Sequence, residues 1–231
     1  MIYELDPKYP GFPNPEESEP DGLIAIGGDL SAARLINAYC CGIFPWYDEE
    51  SPLLWWSLDP RMVLFPDEFR CSKSLHRVVQ SGRFEVRIDT RFEETMRSCA
   101  AVDRTAQGQH GTWITEEMVQ AYVCLHRLGL AHSFETYCQG RLVGGLYGVS
   151  IGPFFFGESM FHTMTDASKV AMVRLVQFCH DHHFRLIDAQ QETAYLASLG
   201  ARPIPRSDYL TELNAIRADN TLQGNWGEMK A

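Results

Sequence analysis

A chain of 231 residues with 45% hydrophobic and 12% aromatic content carries enough apolar side chain for a packed core, which excludes a wholly disordered protein. A formal charge of -10 argues against a uniformly basic nucleic-acid surface, and seven cysteines without a CxxC pair argue against a disulfide framework or a zinc ribbon. The opening MIYELDPKYPGF lacks the basic flank and apolar stretch of a secretory signal, and no apolar run approaches the roughly 18 to 20 residues that span a bilayer, so we expect a cytoplasmic protein without a membrane partner.

Residues 1–60 are punctuated by Pro and Gly, as in FPNPEESEPDG and GGDL, and read as a small, loop-rich N-terminal domain. Within it Ser31 is an N-cap for a short helix ending at Cys40, and Gly42 is its stop. From residue 61 to 231 strands and helices alternate, which we expect to form a second domain. The segment Ser72–Gln80 predicts a helix with Leu75, Val78 and Val79 on one face and Lys73, His76 and Arg77 on or near the other. It opens a stretch from Arg70 to Arg91 that holds six basic residues against two acids, either a basic patch for phosphates or a solvated face. HSFETYC, RLVGGLYGVSI and PFFFGESMF then read as three antiparallel strands, with turns at Gln139-Gly140 and Gly152-Pro153. A helix from about Asp166 to His182 and the strand RLIDAQ follow. Three strands, a helix and a further strand are the core order of the Gcn5-related acetyltransferases, so the expected class is α+β with a mostly antiparallel sheet.

Polar residues in the apolar run from Phe154 to Gln190 need partners or a ligand, which makes Glu158, Asp188 and Gln190 the candidates for chemistry. Strict strand alternation places Leu186, Asp188 and Gln190 on one face and Ile187 and Ala189 on the other. The turn before the helix, HTMTDASKVA, has no glycine to cradle a pyrophosphate; coenzyme A is disfavoured and no cofactor is expected. His180, Asp181, His182 and His183 fall at a helix C-terminus, where His complements the dipole, and without HExxH we expect no metal. GESMF lacks the second glycine of a GxSxG elbow, which argues against a Ser159 nucleophile. Trp46 and Trp113, each beside turn-like sequence, are candidates for stacking on the bases of a nucleic-acid end.

The runs EPDGLIAIGGDLS, AYCCGIFPW, LWWSLDPR, GTWI, AHSFE, LVGGLYGV, FFGESMF, ASK, LIDAQ and SLGA together resemble the bacterial leucyl/phenylalanyl-tRNA–protein transferases. The resemblance implies transfer of Leu, Phe or, less well, Met from aminoacyl-tRNA to the free α-amine of proteins that begin with Arg or Lys, which marks them for degradation by the N-end rule. It places Asp188 and Gln190 at the reaction centre with Glu158 beside them, and Trp46 and Trp113 around the terminal adenosine. It assigns Leu146, Phe155, Met160, Met172, Leu175 and Ile187 to an apolar pocket for the aminoacyl side chain. Lys73, Arg77 and the nearby Arg83 are implied as contacts to the tRNA acceptor stem. Two positions depart from the family pattern: Ala189 stands where LIDCQ is usual, and Tyr195 where His is frequent.

An α-amine of pKa about 7.7 to 8.0 is partly neutral at pH 7, so ester aminolysis needs positioning more than a strong base. On this reading the Gln190 oxygen accepts a hydrogen bond from the attacking amine, Asp188 orients that amide, and Glu158 or Asp188 faces the Arg or Lys of the acceptor. Two other classes remain open at this point: an acyl-CoA acetyltransferase on the same fold, and a non-catalytic RNA-binding module built from the basic helix and the tryptophans.

Overall fold

A computed structural model describes residues 2–102, 112–215 and 220–229. The first elements are β1 (Tyr3–Leu5), β2 (Leu23–Gly27), α1 (Ala32–Cys40), β3 (Phe44–Pro45) and β4 (Leu54–Trp56). They form a four-stranded sheet ordered β1-β2-β4-β3, where the sequence suggested mostly loops. Strands of two to five residues offer too few alternations to be read as strands. The α1 helix starts where its cap predicts: the Ser31 hydroxyl accepts from the backbone N–H of Arg34 at 3.3 Å. It ends at Cys41, and Gly42 follows in the left-handed region at φ 72°.

The remaining elements are β5 (Arg61–Leu64), α2 (Lys73–Gln80), β6 (Glu85–Ile88), α3 (Phe92–Ala100), α4 (Glu116–Arg127), β7 (Ala131–Cys138), β8 (Arg141–Ile151) and β9 (Phe154–His162), then α5 (Ala167–Asp181), β10 (Leu186–Gln190), α6 (Ala194–Ser198), β11 (Arg202–Ile204) and α7 (Arg206–Ala215). Seven strands form a sheet ordered β11-β5-β10-β9-β8-β7-β6. Its one parallel pair among the described residues is β9 with β10; every other neighbour runs antiparallel. The expected α+β class and the strand–strand–strand–helix–strand order are therefore those of the molecule.

Side-chain alternation gives this sheet two apolar faces. Phe154, Phe156 and Leu186 join Tyr39 of α1, Met96 of α3 and Met118 of α4 in one core. Phe155 and Ile187, one residue out of phase, join Met172, Leu175 and Phe178 of α5 in the other. The α2 helix packs on α5 through Leu75, which is buried, and leaves Lys73, His76 and Arg77 in solvent. Val79, expected on its apolar face, is exposed. A two-turn helix that meets the body along a single line buries only its central apolar residue.

One glycine sets the position of α5. A Cβ on Gly144 of β8 would lie 2.6 Å from the Cβ of Ala167 and 3.0 Å from the amide nitrogen of Ser168, so α5 begins against bare backbone. Gly144→Ala is expected to lower stability by about 1–3 kcal/mol through overpacking, measured as a lower urea midpoint at constant m.

Candidate active site

Pairing between β9 and β10 ends at Asp188↔Phe156, and β9 continues to His162 against β8. A cleft of about 550 Å³ opens where the two parallel strands part. A concave site of this size takes a small-molecule ligand. Its walls carry Glu158 and Met160 from β9, Ile187, Asp188 and Gln190 from β10, Leu146 from β8 and Met172 and Leu175 from α5. Trp46 and Trp113, each partly buried, close the side beside β3.

Most residues singled out in the sequence thus meet in one place. Phe155 does not: it is fully buried and lies behind Leu146 and Ile187 rather than on the cleft surface. Alternation alone chooses its face, but the depth of α5 decides which residue of that face a ligand touches. Lys73, Arg77 and Arg83 lie apart from the cleft lining, exposed on α2 and the turn before β6.

Asp188 is completely buried and its carboxylate is fully engaged. Arg61 donates to both oxygens, Nε to Oδ1 at 2.9 Å and Nη2 to Oδ2 at 2.7 Å. Tyr209 donates its hydroxyl to Oδ2 at 2.8 Å, and the backbone N–H of Gln190 donates to Oδ1 at 2.9 Å. Arg61 is itself 1% exposed, with its guanidinium carbon 4.7 Å from the centre of the Phe44 ring and 4.8 Å from that of Tyr209. Burial works against the Arg61 charge, but the adjacent Asp188 carboxylate more than offsets it and raises its pKa. Asp188 therefore does not orient the Gln190 side-chain amide; it grips the Gln190 backbone, and its charge is already matched by Arg61.

That grip falls on an unusual residue. Gln190 sits at φ 54°, a left-handed backbone that a non-glycine residue adopts only under tertiary constraint, and the ladder with β5 shifts register there. The shift breaks the alternation that would place Asp188 and Gln190 on one face. Both still reach the cleft wall, because the bulge turns Gln190 toward it. The Gln190 amide nitrogen Nε2 is buried and has no hydrogen-bond partner among the described residues. A buried amide donor without an acceptor costs free energy, so on the cleft wall it is available to an incoming oxygen.

Glu158 stands on the opposite strand, partly buried. Its Oε1 accepts from Tyr39 at 2.8 Å and its Oε2 from Tyr122 at 3.2 Å, while the two tyrosine hydroxyls also touch each other. Burial pushes the Glu158 carboxyl up to about 7, against the pull of the two hydroxyls, which favour its charged form. The tyrosines are held far above their ordinary range, first by burial and then by the Glu158 charge. Arg61, Tyr39, Tyr122 and Tyr209 are absent from the residues picked out by sequence; each lies on a different element and meets its acid only through the fold.

Among solved structures the chain is similar to FemX, at 10% identity and a TM-score of 0.48 over 75% of this chain and 66% of that one. The sequence comparisons are much closer. The chain is similar to the leucyl/phenylalanyl-tRNA–protein transferase of an Anaeromyxobacter species, 53% identical over 225 residues that cover 97% of this chain and 94% of that one. It is also similar to the enzyme of that name from Solidesulfovibrio magneticus, 54% identical over 217 residues covering 94% and 87%. A family model described as leucyl/phenylalanyl-tRNA protein transferase matches residues 63–214, and one described as its N-terminal domain matches residues 28–59. The first model alone covers more than half of the chain and every cleft residue named above except Trp46, which the second covers, so the chain belongs to the leucyl/phenylalanyl-tRNA–protein transferase family.

Proposed function

We propose that this protein is an aminoacyltransferase that moves Leu, Phe and, less well, Met from aminoacyl-tRNA to the free N-terminal α-amine of proteins beginning with Arg or Lys. The observation that carries the chemical part of this reading is the Gln190 amide nitrogen on the cleft wall, unpartnered among the described residues. Its Nε2 donates to the ester carbonyl oxygen as negative charge develops there, and its oxygen accepts from the attacking amine. Asp188 is a positioning residue: through the Gln190 backbone N–H it holds the bulge that presents the amide, and Arg61 and Tyr209 hold Asp188 in turn.

The apolar part of the cleft, Leu146, Met160, Met172, Leu175 and Ile187, takes the aminoacyl side chain, with Phe155 as packing behind it. Such a pocket separates side chains that differ by one methylene by only about 1–3 kcal/mol, which suits a choice among large apolar residues. Trp46 and Trp113 stack on the terminal adenosine, and Lys73, Arg77 and Arg83 meet the acceptor-stem phosphates. We place the reaction in the cytoplasm, where charged tRNA is found.

The test is transfer of labelled Phe from Phe-tRNA to a peptide with a free N-terminal Arg, beside the same peptide acetylated at that terminus. Label should reach the free peptide alone. Label on neither, with intact Phe-tRNA, would reject the transferase reading.

A further inference from the structure

The cluster of Tyr39, Tyr122 and Glu158 can be counted proton by proton. Three oxygen groups make three mutual contacts: Tyr39 to Glu158, Tyr122 to Glu158, and Tyr39 to Tyr122. Two hydroxyls supply two protons, and an ionised carboxylate supplies none, so with Glu158 charged one of the three contacts has no hydrogen in it. A third proton on Glu158 completes the ring: Glu158 donates to one tyrosine, that tyrosine to the other, and the second tyrosine back to the carboxylate. The cluster is built with a vacancy for one proton, and Glu158 opens that vacancy onto the cleft.

Resting on the transferase reading, we propose that Glu158, completed by Tyr39 and Tyr122, is the proton carrier of the transfer. The amine nitrogen bonds to the ester carbonyl carbon while one of its protons passes to Glu158. The bond from that carbon to the ribose oxygen then breaks, and the same proton passes from Glu158 to the departing oxygen. Atoms and charge balance, and the cluster returns to its two-proton state ready for the next turnover. Two charged neighbours set the poise of Glu158 in opposite senses: Asp188 of β10 raises its proton affinity and Arg61 of β5 lowers it. A carboxyl that titrates near neutrality is matched to an amine of pKa about 7.7 to 8.0, as an efficient carrier must be.

Glu158→Gln keeps the size of the side chain and, through its NH₂, supplies the donor that the protonated ring needs, so the variant should fold and bind Phe-tRNA while lacking a basic oxygen. Its transfer rate at neutral pH is expected to drop by about 10²–10⁴-fold with the acceptor KM unchanged. Below neutrality kcat/KM for the acceptor peptide requires both an ionised Glu158 and a neutral amine in the wild type, which gives a log–log slope of two against pH. In Glu158→Gln only the amine remains and the slope is one. Tyr122→Phe removes a hydrogen bond that favours the charged carboxylate, so the Glu158 inflection should move to higher pH. A structural role for Tyr122 would lower the rate without moving the inflection.

Equal slopes in wild type and Glu158→Gln would overturn the proposal. So would an unchanged rate with a raised KM for Arg-initiated peptide, which would make Glu158 a recognition site for the acceptor's cation. Failure of the wild type itself to transfer Phe would reject the transferase reading instead, and needs no variant to see.

Discussion

Asp188→Ala is expected to lower the unfolding free energy by about 3–5 kcal/mol, because it leaves the Arg61 guanidinium buried and unpaired. Arg61 cannot escape to solvent: it is sandwiched between Phe44 and Tyr209, and its Nη1 also reaches the Gly42 carbonyl at 3.3 Å. Nor can it neutralise itself, since an arginine stays protonated in proteins. Stability and function should come apart in the double variant Arg61→Met/Asp188→Leu. Replacing a buried ion pair by apolar side chains of similar volume is often neutral or stabilising, so most of the lost stability should return. Transfer should not return, because nothing then accepts from the Gln190 N–H to hold the bulge. Urea denaturation and single-turnover transfer on the same preparations decide the matter. A stable Asp188→Ala would show that the buried pair does not hold the fold, and an active double variant would show that it does not position Gln190.

Gln190→Gly is expected to reduce the transfer rate by about 10²–10³-fold, the range for loss of one donor to a developing oxyanion. The same change should move stability by less than about 1 kcal/mol. Glycine relieves the strain of a non-glycine residue at φ 54°, and the greater freedom of glycine in the unfolded chain offsets that gain. The hydrogen bond to Asp188 survives, since it comes from the backbone. A folded, tRNA-binding and slow enzyme is therefore the expected outcome. Near-wild-type transfer by Gln190→Gly would remove the side-chain amide from the mechanism and leave positioning to the backbone alone.

Much of this architecture was legible before any coordinates. Ser31 announces α1 and caps the backbone N–H of Arg34, and the spacing of apolar and basic residues over Ser72–Gln80 announces α2. The three long strands β7, β8 and β9 are runs of eight or more residues bounded by the turns at Gln139-Gly140 and Gly152-Pro153, and that punctuation makes them legible. The short strands β1, β3 and β4 are not legible, because strands this brief carry no period. Gly144 of β8 is a site of close approach, and nothing in RLVGGLYGVSI says that α5 is what approaches.

Locally encoded properties, namely caps, alternation, turns and the family's ordered runs, were determined by the sequence by itself, because each depends on residues a few positions apart. Those properties established the α+β class, the acids and amide of the cleft, and the family. Tertiary structure alone decided what those groups do. Arg61 lies 127 residues from Asp188 and Tyr39 lies 119 from Glu158, separations at which no local pattern reports a contact. The left-handed bulge at Gln190 is likewise invisible in LIDAQ, since a non-glycine residue in a β-rich run predicts simple alternation. It exists because Asp188, clamped from three sides, holds one backbone N–H where the chain alone would not leave it.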